Sequence, residues 1–267
     1  MIKLLNYERK RLLRTKSFWI VLTVAAIFTV FSLLMMKNSD LFMSAIGVDM
    51  ILTGEIEDVI DEPIRLLGVD ALISCAGNLL ITLLPMFISI FVASEFSKGT
   101  LKNVISKGYS KTKVYFSKLI ACCLASTTII AVVAIINTLL ATTFWGFSEG
   151  SIVWIKLISI LSVKLLSFYA LVSLSVFIAM TVRSSVGAIA INIGVVQFTP
   201  ALLTSIAVII RKEINLFVKY ELSTVIIRLS DYKMVEQHEI TSALIISLIY
   251  IVITCIIGNI IFLRRDI

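Results

Sequence analysis

Six stretches of this chain run the width of a bilayer without a single charged side chain. A helix rises about 1.5 Å per residue, so about 20 apolar residues cross the hydrocarbon core. The runs predict transmembrane helices over about 17–36, 71–94, 119–146, 160–182, 185–209 and 240–263, the fourth taking in Lys164 at its edge. Charged residues make up 15% of the 267, where soluble domains carry about 25%. A soluble core of this length has no use for six such runs. The expectation is a single all-α membrane domain over 1–267, with an amphipathic segment at 1–16. The first run also resembles a secretory signal in its basic lead. Its apolar stretch exceeds the roughly 7–15 residues of such signals, however, and Lys37, Asn38 and Ser39 follow without a small-residue cleavage pattern. A retained anchor is expected.

Charge then orients the spans. The segment before the first span holds Lys3, Arg9, Lys10, Arg11, Arg14 and Lys16 against Glu8 alone. The stretch from Ser94 to Lys118 holds six lysines (Lys98, Lys102, Lys107, Lys111, Lys113 and Lys118) against Glu95 alone. The turn after the fourth span carries Arg183, and the C-terminus carries Arg264, Arg265 and Asp266. Six spans bring all four segments to one side, and the positive-inside rule makes that side cytoplasmic, so both termini are expected there. The loop 37–70 falls outside, with eight acids from Asp40 to Asp70 against Lys37 and Arg65. The second outer segment, 210–239, balances five cations with five acids and has no vote. The net charge of +7 thus follows from topology and anionic headgroups, and nucleic acid is not needed to explain it.

Several chemistries are excluded. No G-x-x-x-x-G-K-[ST] phosphate loop is present, nor H-E-x-x-H, and one histidine, His238, cannot make a histidine metal cluster. Cys75, Cys122, Cys123 and Cys255 fall in or beside spans without C-x-x-C spacing, and read as small packing residues. No Asp or Glu lies inside the charge-free runs, whereas proton- and cation-driven transporters bury ionisable groups near the midplane. Lys164 is the nearest candidate; its stem is long enough to snorkel to the interface, which is the expected behaviour. The spans hold Ser, Thr and Asn with no His, Asp or Glu to activate them, which argues against an intramembrane enzyme.

The lysine-rich segment has internal order. Thr100 suits an N-cap, Leu101, Val104 and Ile105 share one face of a short helix, and Gly108 sits where a left-handed residue ends it. Ser110 can cap the next helix, which passes Val114, Tyr115 and Leu119 into the third span. On spacing alone this is either a solvated basic loop that fixes topology or a docking element. The run "EFSKGTLKNVISKGYSKTKVYFSKL" resembles the segment between the second and third helices of ABC-2-type transporter permeases. The matching positions are Glu95, Gly99, Thr100, Leu101, Ser110, Lys113, Lys118 and Leu119, and "KGY" (107–109) departs from the family's usual Pro or small apolar residue. The resemblance extends to the layout of nearly the whole chain.

It implies that this segment is a cytoplasmic coupling helix contacting a separate ATPase subunit, through Glu95, Gly99, Thr100, Leu101, Val104, Ile105 and Lys107. It further implies two ATPase copies and a second permease copy or a related permease. ATP and magnesium would sit on the partner, with no cofactor in this chain and no catalysis by it. The implied role is export across a bacterial cell membrane. An amphipathic or antimicrobial peptide is the first substrate class, small drugs or lipid-linked glycans the second; an ATP-independent channel or structural membrane subunit is the alternative. Three further expectations complete the reading. Ile2, Leu5, Leu12 and Leu13 form the apolar face of an in-plane N-terminal helix on membrane lipids. Pro200 interrupts the fifth span after Asn192, Gln197 and Thr199, marking either a translocation path or a simple kink. Ile214, Val218, Leu222, Val225 and Leu229 line one face of a helix between the last two spans, re-entrant or at the surface, and the acidic loop 37–70 folds as short helices over the outer mouth.

Overall fold

A computed structural model describes residues 2–38, 66–74, 77–97, 99–148, 153–182, 184–210, 219–230, 232 and 235–264. These contain ten helices and no strand. In chain order they are α1 (Ile2–Arg14), α2 (Lys16–Lys37), α3 (Gly68–Ser74), α4 (Gly77–Ser97), α5 (Thr100–Ser106), α6 (Lys111–Trp145), α7 (Trp154–Val182), α8 (Ser185–Ile210), α9 (Leu222–Arg228) and α10 (Gln237–Arg264). Six stretches are long and apolar enough to cross a membrane: α2, Gly68–Phe96, α6, α7, Ser185–Ile206 and α10. The expected span count therefore holds, and the chain has the architecture of a multi-pass membrane protein.

Burial separates inner from outer helices. In the most apolar stretch of Gly68–Phe96, 67% of residues are buried, and 61% in α7, against 22% in α2, 17% in the fifth span and 22% in α10. The outer helices turn large apolar side chains outward, among them Ile20, Ile27 and Phe31 on α2 and Ile249, Val252 and Ile256 on α10. Hydrocarbon around the bundle suits such faces, so these helices are apolar all round. At the centre, Leu84, Phe87 and Ile88 of α4 pack with Ile129 and Val133 of α6 and with Phe168, Val172 and Val176 of α7. A smaller cluster joins α3, α7, α9 and α10 around Ile73, Ile160, Val225 and Ile240.

The two ends of the bundle differ. At the basic end lie α1, α5, the last turns of α4 and α10 and the first turns of α6; Lys111 Nζ donates to Leu263 O over 3.2 Å. At the other end, Gly68 and Val69 donate backbone N–H bonds to Gly146 and Phe147 O, each 3.0 Å. There Leu222, Val225 and Leu229 are buried, as their spacing predicts, while Ile214 and Val218 lie outside the described residues. So does most of the loop 37–70, between 39 and 65.

Two local expectations are corrected, at Thr100 and at Pro200, and the α1 stripe is refined. Gly99, not Thr100, is the N-cap of α5, with φ 63° in the left-handed region that glycine enters without a Cβ clash. The inward stripe of α1 is Leu4, Glu8 and Leu12, spaced four apart, while Leu13 is exposed and Leu5 half-buried. Pro200 does not interrupt the fifth span: α8 continues through it. Gly108 does take the left-handed conformation that ends α5, at φ 86°, and Ser110 does precede α6 as its N-cap, in extended geometry without a side-chain hydrogen bond.

Candidate functional site, a buried charge network at the root of α5

Four charged side chains from three helices meet inside the basic end. The four-residue spacing of α1 turns Glu8 inward between Leu4 and Leu12, and Arg11 follows one turn later. Glu95 projects from the last turn of α4, just before the chain turns at Gly99 into α5. Lys118 lies two turns into α6. Arg11 Nη1 reaches Glu8 at 3.1 Å, Lys118 Nζ reaches the same carboxylate at 3.0 Å, and Glu95 pairs with both cations. Arg11 also donates to Phe91 O at 3.1 Å and stacks 4.0 Å above the Phe91 ring. Glu8, Glu95 and Lys118 are 1%, 6% and 1% exposed.

Two acids and two cations leave the group formally neutral, which is why it is tolerated there. Removing a single member of a buried pair costs about 3–5 kcal/mol, because it strands the opposite charge. Interhelical hydrogen bonds in membranes average about 0.6 kcal/mol. Loss of one member of the network is therefore costlier than loss of a typical interhelical hydrogen bond. What it does chemically is to hold three helices in one arrangement.

This placement changes the reading of the predicted contact residues. Glu95 faces inward, and Leu101 is 1% exposed within the main core. Val104 and Ile105 are half-buried against that core. Lys107, the residue after α5, is exposed, as is Ser106. Thr100 is the first residue of α5 and Gly99 its N-cap.

The second predicted group lies against α4. Asn192 is fully buried, its amide donating to Ser89 Oγ at 2.7 Å and Ser175 O at 3.4 Å, and Gln197 donates to Thr82 Oγ1 at 2.6 Å. Thr199 and Pro200 are half-buried beyond them. These contacts tie α8 to α4 and α7. Similar bonds join Ser167 to Ser247 and Ser173 to Thr254, both at 2.8 Å, setting the register of α7 against α10.

Lys164 does not snorkel. At 2% exposure it donates to Ile73 O at 2.6 Å, Ser74 O at 3.2 Å and Ser230 Oγ at 2.7 Å. The carbonyls at the end of α3 carry partial negative charge, and a buried ammonium there is electrostatically favourable. Nor do the helices stop where the charge-free runs do: Glu95 belongs to the candidate span Gly68–Phe96 and Lys118 to α6. Ionisable groups are thus built into the ends of the helical bundle, just outside the charge-free runs.

Sequence reasoning missed Arg11 and Lys118 as partners of Glu95, and Glu8 as the second acid they share. A signal was available, for Glu8 and Glu95 are each the lone acid in a basic segment. An acid kept among so many cations is a candidate for pairing across segments.

An all-helical, multi-pass membrane protein with a buried four-charge network at its basic end is the class that this fold and site define. The family model described as Protein of unknown function (DUF2705) matches residues 69–267, and the chain belongs to that family. Glu95 and Lys118 fall within the matched region, whereas Glu8 and Arg11 precede it. No curated protein matches the sequence.

Proposed function

We propose that this chain is the permease subunit of an ATP-driven exporter of the ABC-2 type, working with a separate cytoplasmic ATPase. The observation that carries the reading is α5, a seven-residue helix between the second and third spans, with Ser106 and Lys107 exposed. It coincides with the segment whose sequence resembles the coupling region of those permeases. Six spans and the basic character of that end fit cytoplasmic termini under the positive-inside rule.

In this reading, closure of the ATPase pair presses on the exposed edge of α5. Leu101 seats α5 on the core, and Glu95, at its root, is ion-paired to Arg11 and Lys118. The push therefore reaches α1, α4 and α6 together. ATP and magnesium belong to the partner, and this chain contributes motion and a path through a paired permease in the bacterial cell membrane. The substrate class is an amphipathic or antimicrobial peptide.

The test is co-purification in mild detergent with the ATPase from a neighbouring reading frame. Lys107→Glu reverses an exposed charge without touching the core, and is expected to weaken association while leaving membrane insertion and melting unchanged. Leu101→Asp would unseat α5 itself and is the wrong probe. Association that ignores Lys107→Glu, or no associated ATPase at all, overturns the reading.

A further inference from the structure

An apolar groove of about 440 Å³ opens between α1, α2 and α6. Its walls include Leu12 of α1, Phe18 and Trp19 of α2, and the α6 face from Ala121 to Val132. That α6 face is about 16 Å long at about 1.5 Å per residue. One leaflet of a roughly 30 Å hydrocarbon core is about 15 Å deep, so the groove matches a single acyl layer. Arg9 is the one charged residue on its wall. Glu8 beside it is turned into the ion network, and among the described residues Arg9 has no acidic partner. Lys10, Arg14 and Lys16 are exposed around the same corner.

We propose that this groove binds one anionic phospholipid, with an acyl chain along α6 and the phosphate on Arg9. A zwitterionic lipid fills the apolar part equally well but brings no net charge to the cationic corner. Bound there, the lipid fills the space between α1 and the first span, and so holds α1 against α6 beside the Glu8–Lys118 pair. The inference rests on the membrane architecture and not on the exporter reading, and its test contains no ATPase.

Trp19 is half-exposed on the groove wall, and the other tryptophans, Trp145 and Trp154, lie at the far end. The full chain carrying Trp145→Phe and Trp154→Phe is reconstituted into vesicles containing dibrominated phosphatidylglycerol or dibrominated phosphatidylcholine at equal bromine content. Quenching of Trp19 is expected to favour the anionic lipid by about fivefold in apparent affinity, the ratio one surface cation supplies. Arg9→Gln is expected to erase that preference while the zwitterionic lipid still quenches. Thr128→Phe, which places a ring on an exposed groove position, is expected to reduce quenching by both lipids. Circular dichroism of each variant confirms retained helix. Equal quenching by the two lipids overturns the proposal, as does a preference surviving Arg9→Gln or indifference to Thr128→Phe. Shielding of Trp19 from both lipids overturns it in favour of a second copy of the chain.

Discussion

Lys118 holds an ammonium two turns into an apolar helix, at 1% exposure, with Glu8 and Glu95 as its counter-ions. An unpaired lysine at a helix centre in a membrane costs about 2.5–3.5 kcal/mol, and stranding its two acids costs as much again. Lys118→Met leaves two carboxylates to share Arg11, and is expected to lower stability by about 3–5 kcal/mol, read as a lower melting temperature in detergent. Adding Glu8→Met restores neutrality around the remaining Arg11–Glu95 pair and should recover most of the loss. A Lys118→Met single variant as stable as the parent would show that the network holds nothing together. The residue scale is also where the sequence was least legible. That Glu95 matters follows from its position before Gly99; that it points inward, to an arginine more than eighty residues away, follows from packing alone. Lys164 misled for a related reason. A long stem near a helix end permits snorkelling, and only the fold reveals the carbonyls at the end of α3 that make burial favourable.

At the scale of elements, helix contacts depend on where small residues let large ones in. Tyr115 of α6 is fully buried against Gly258 of α10 and donates to Thr254 O at 3.3 Å. A Cβ at Gly258 would collide with the Tyr115 hydroxyl and stand 2.9 Å from Cζ. Gly258→Ala is therefore expected to destabilise the α6–α10 contact by about 1–3 kcal/mol, and Tyr115→Phe in the same chain should relieve part of it. Paired thermal melts measure both effects, and an unchanged melt for Gly258→Ala would contradict this packing. The helices themselves were legible, because a bilayer-length apolar run has few other uses. Their ends were less so: α6 begins eight residues before its apolar run, since lysines with long stems continue a helix readily outside hydrocarbon. On α1, Leu4, Leu5, Leu12 and Leu13 offer two stripes a residue apart, and Leu4 and Leu12 are the buried ones. The choice between them is made by Glu8, whose partners lie on other helices.

For the whole molecule, alternation of six spans puts Lys107 and Glu236 on opposite sides of the membrane. Both are exposed. With the native cysteines replaced, Lys107→Cys should react with a membrane-impermeant maleimide only after the cells are opened, and Glu236→Cys in intact cells. Labelling of both from one side would break the six-span arrangement. The inner pair, α4 and α7, is contacted by most other helices, whereas α2 and α8 present most of their surface outward.

The length of α6 has a mechanical consequence. Its 35 residues make one rod of about 52 Å, longer than the hydrocarbon it crosses. The rod is fastened by ions at Lys118 and by backbone bonds from Gly68 and Val69 to the residues just past its other end. A strut pinned at both ends delivers an axial shift at one face of the membrane to the opposite face without any relay of intervening side chains. Whatever pulls on the charged end is felt, within the stiffness of a single helix, at the residues just past its other end.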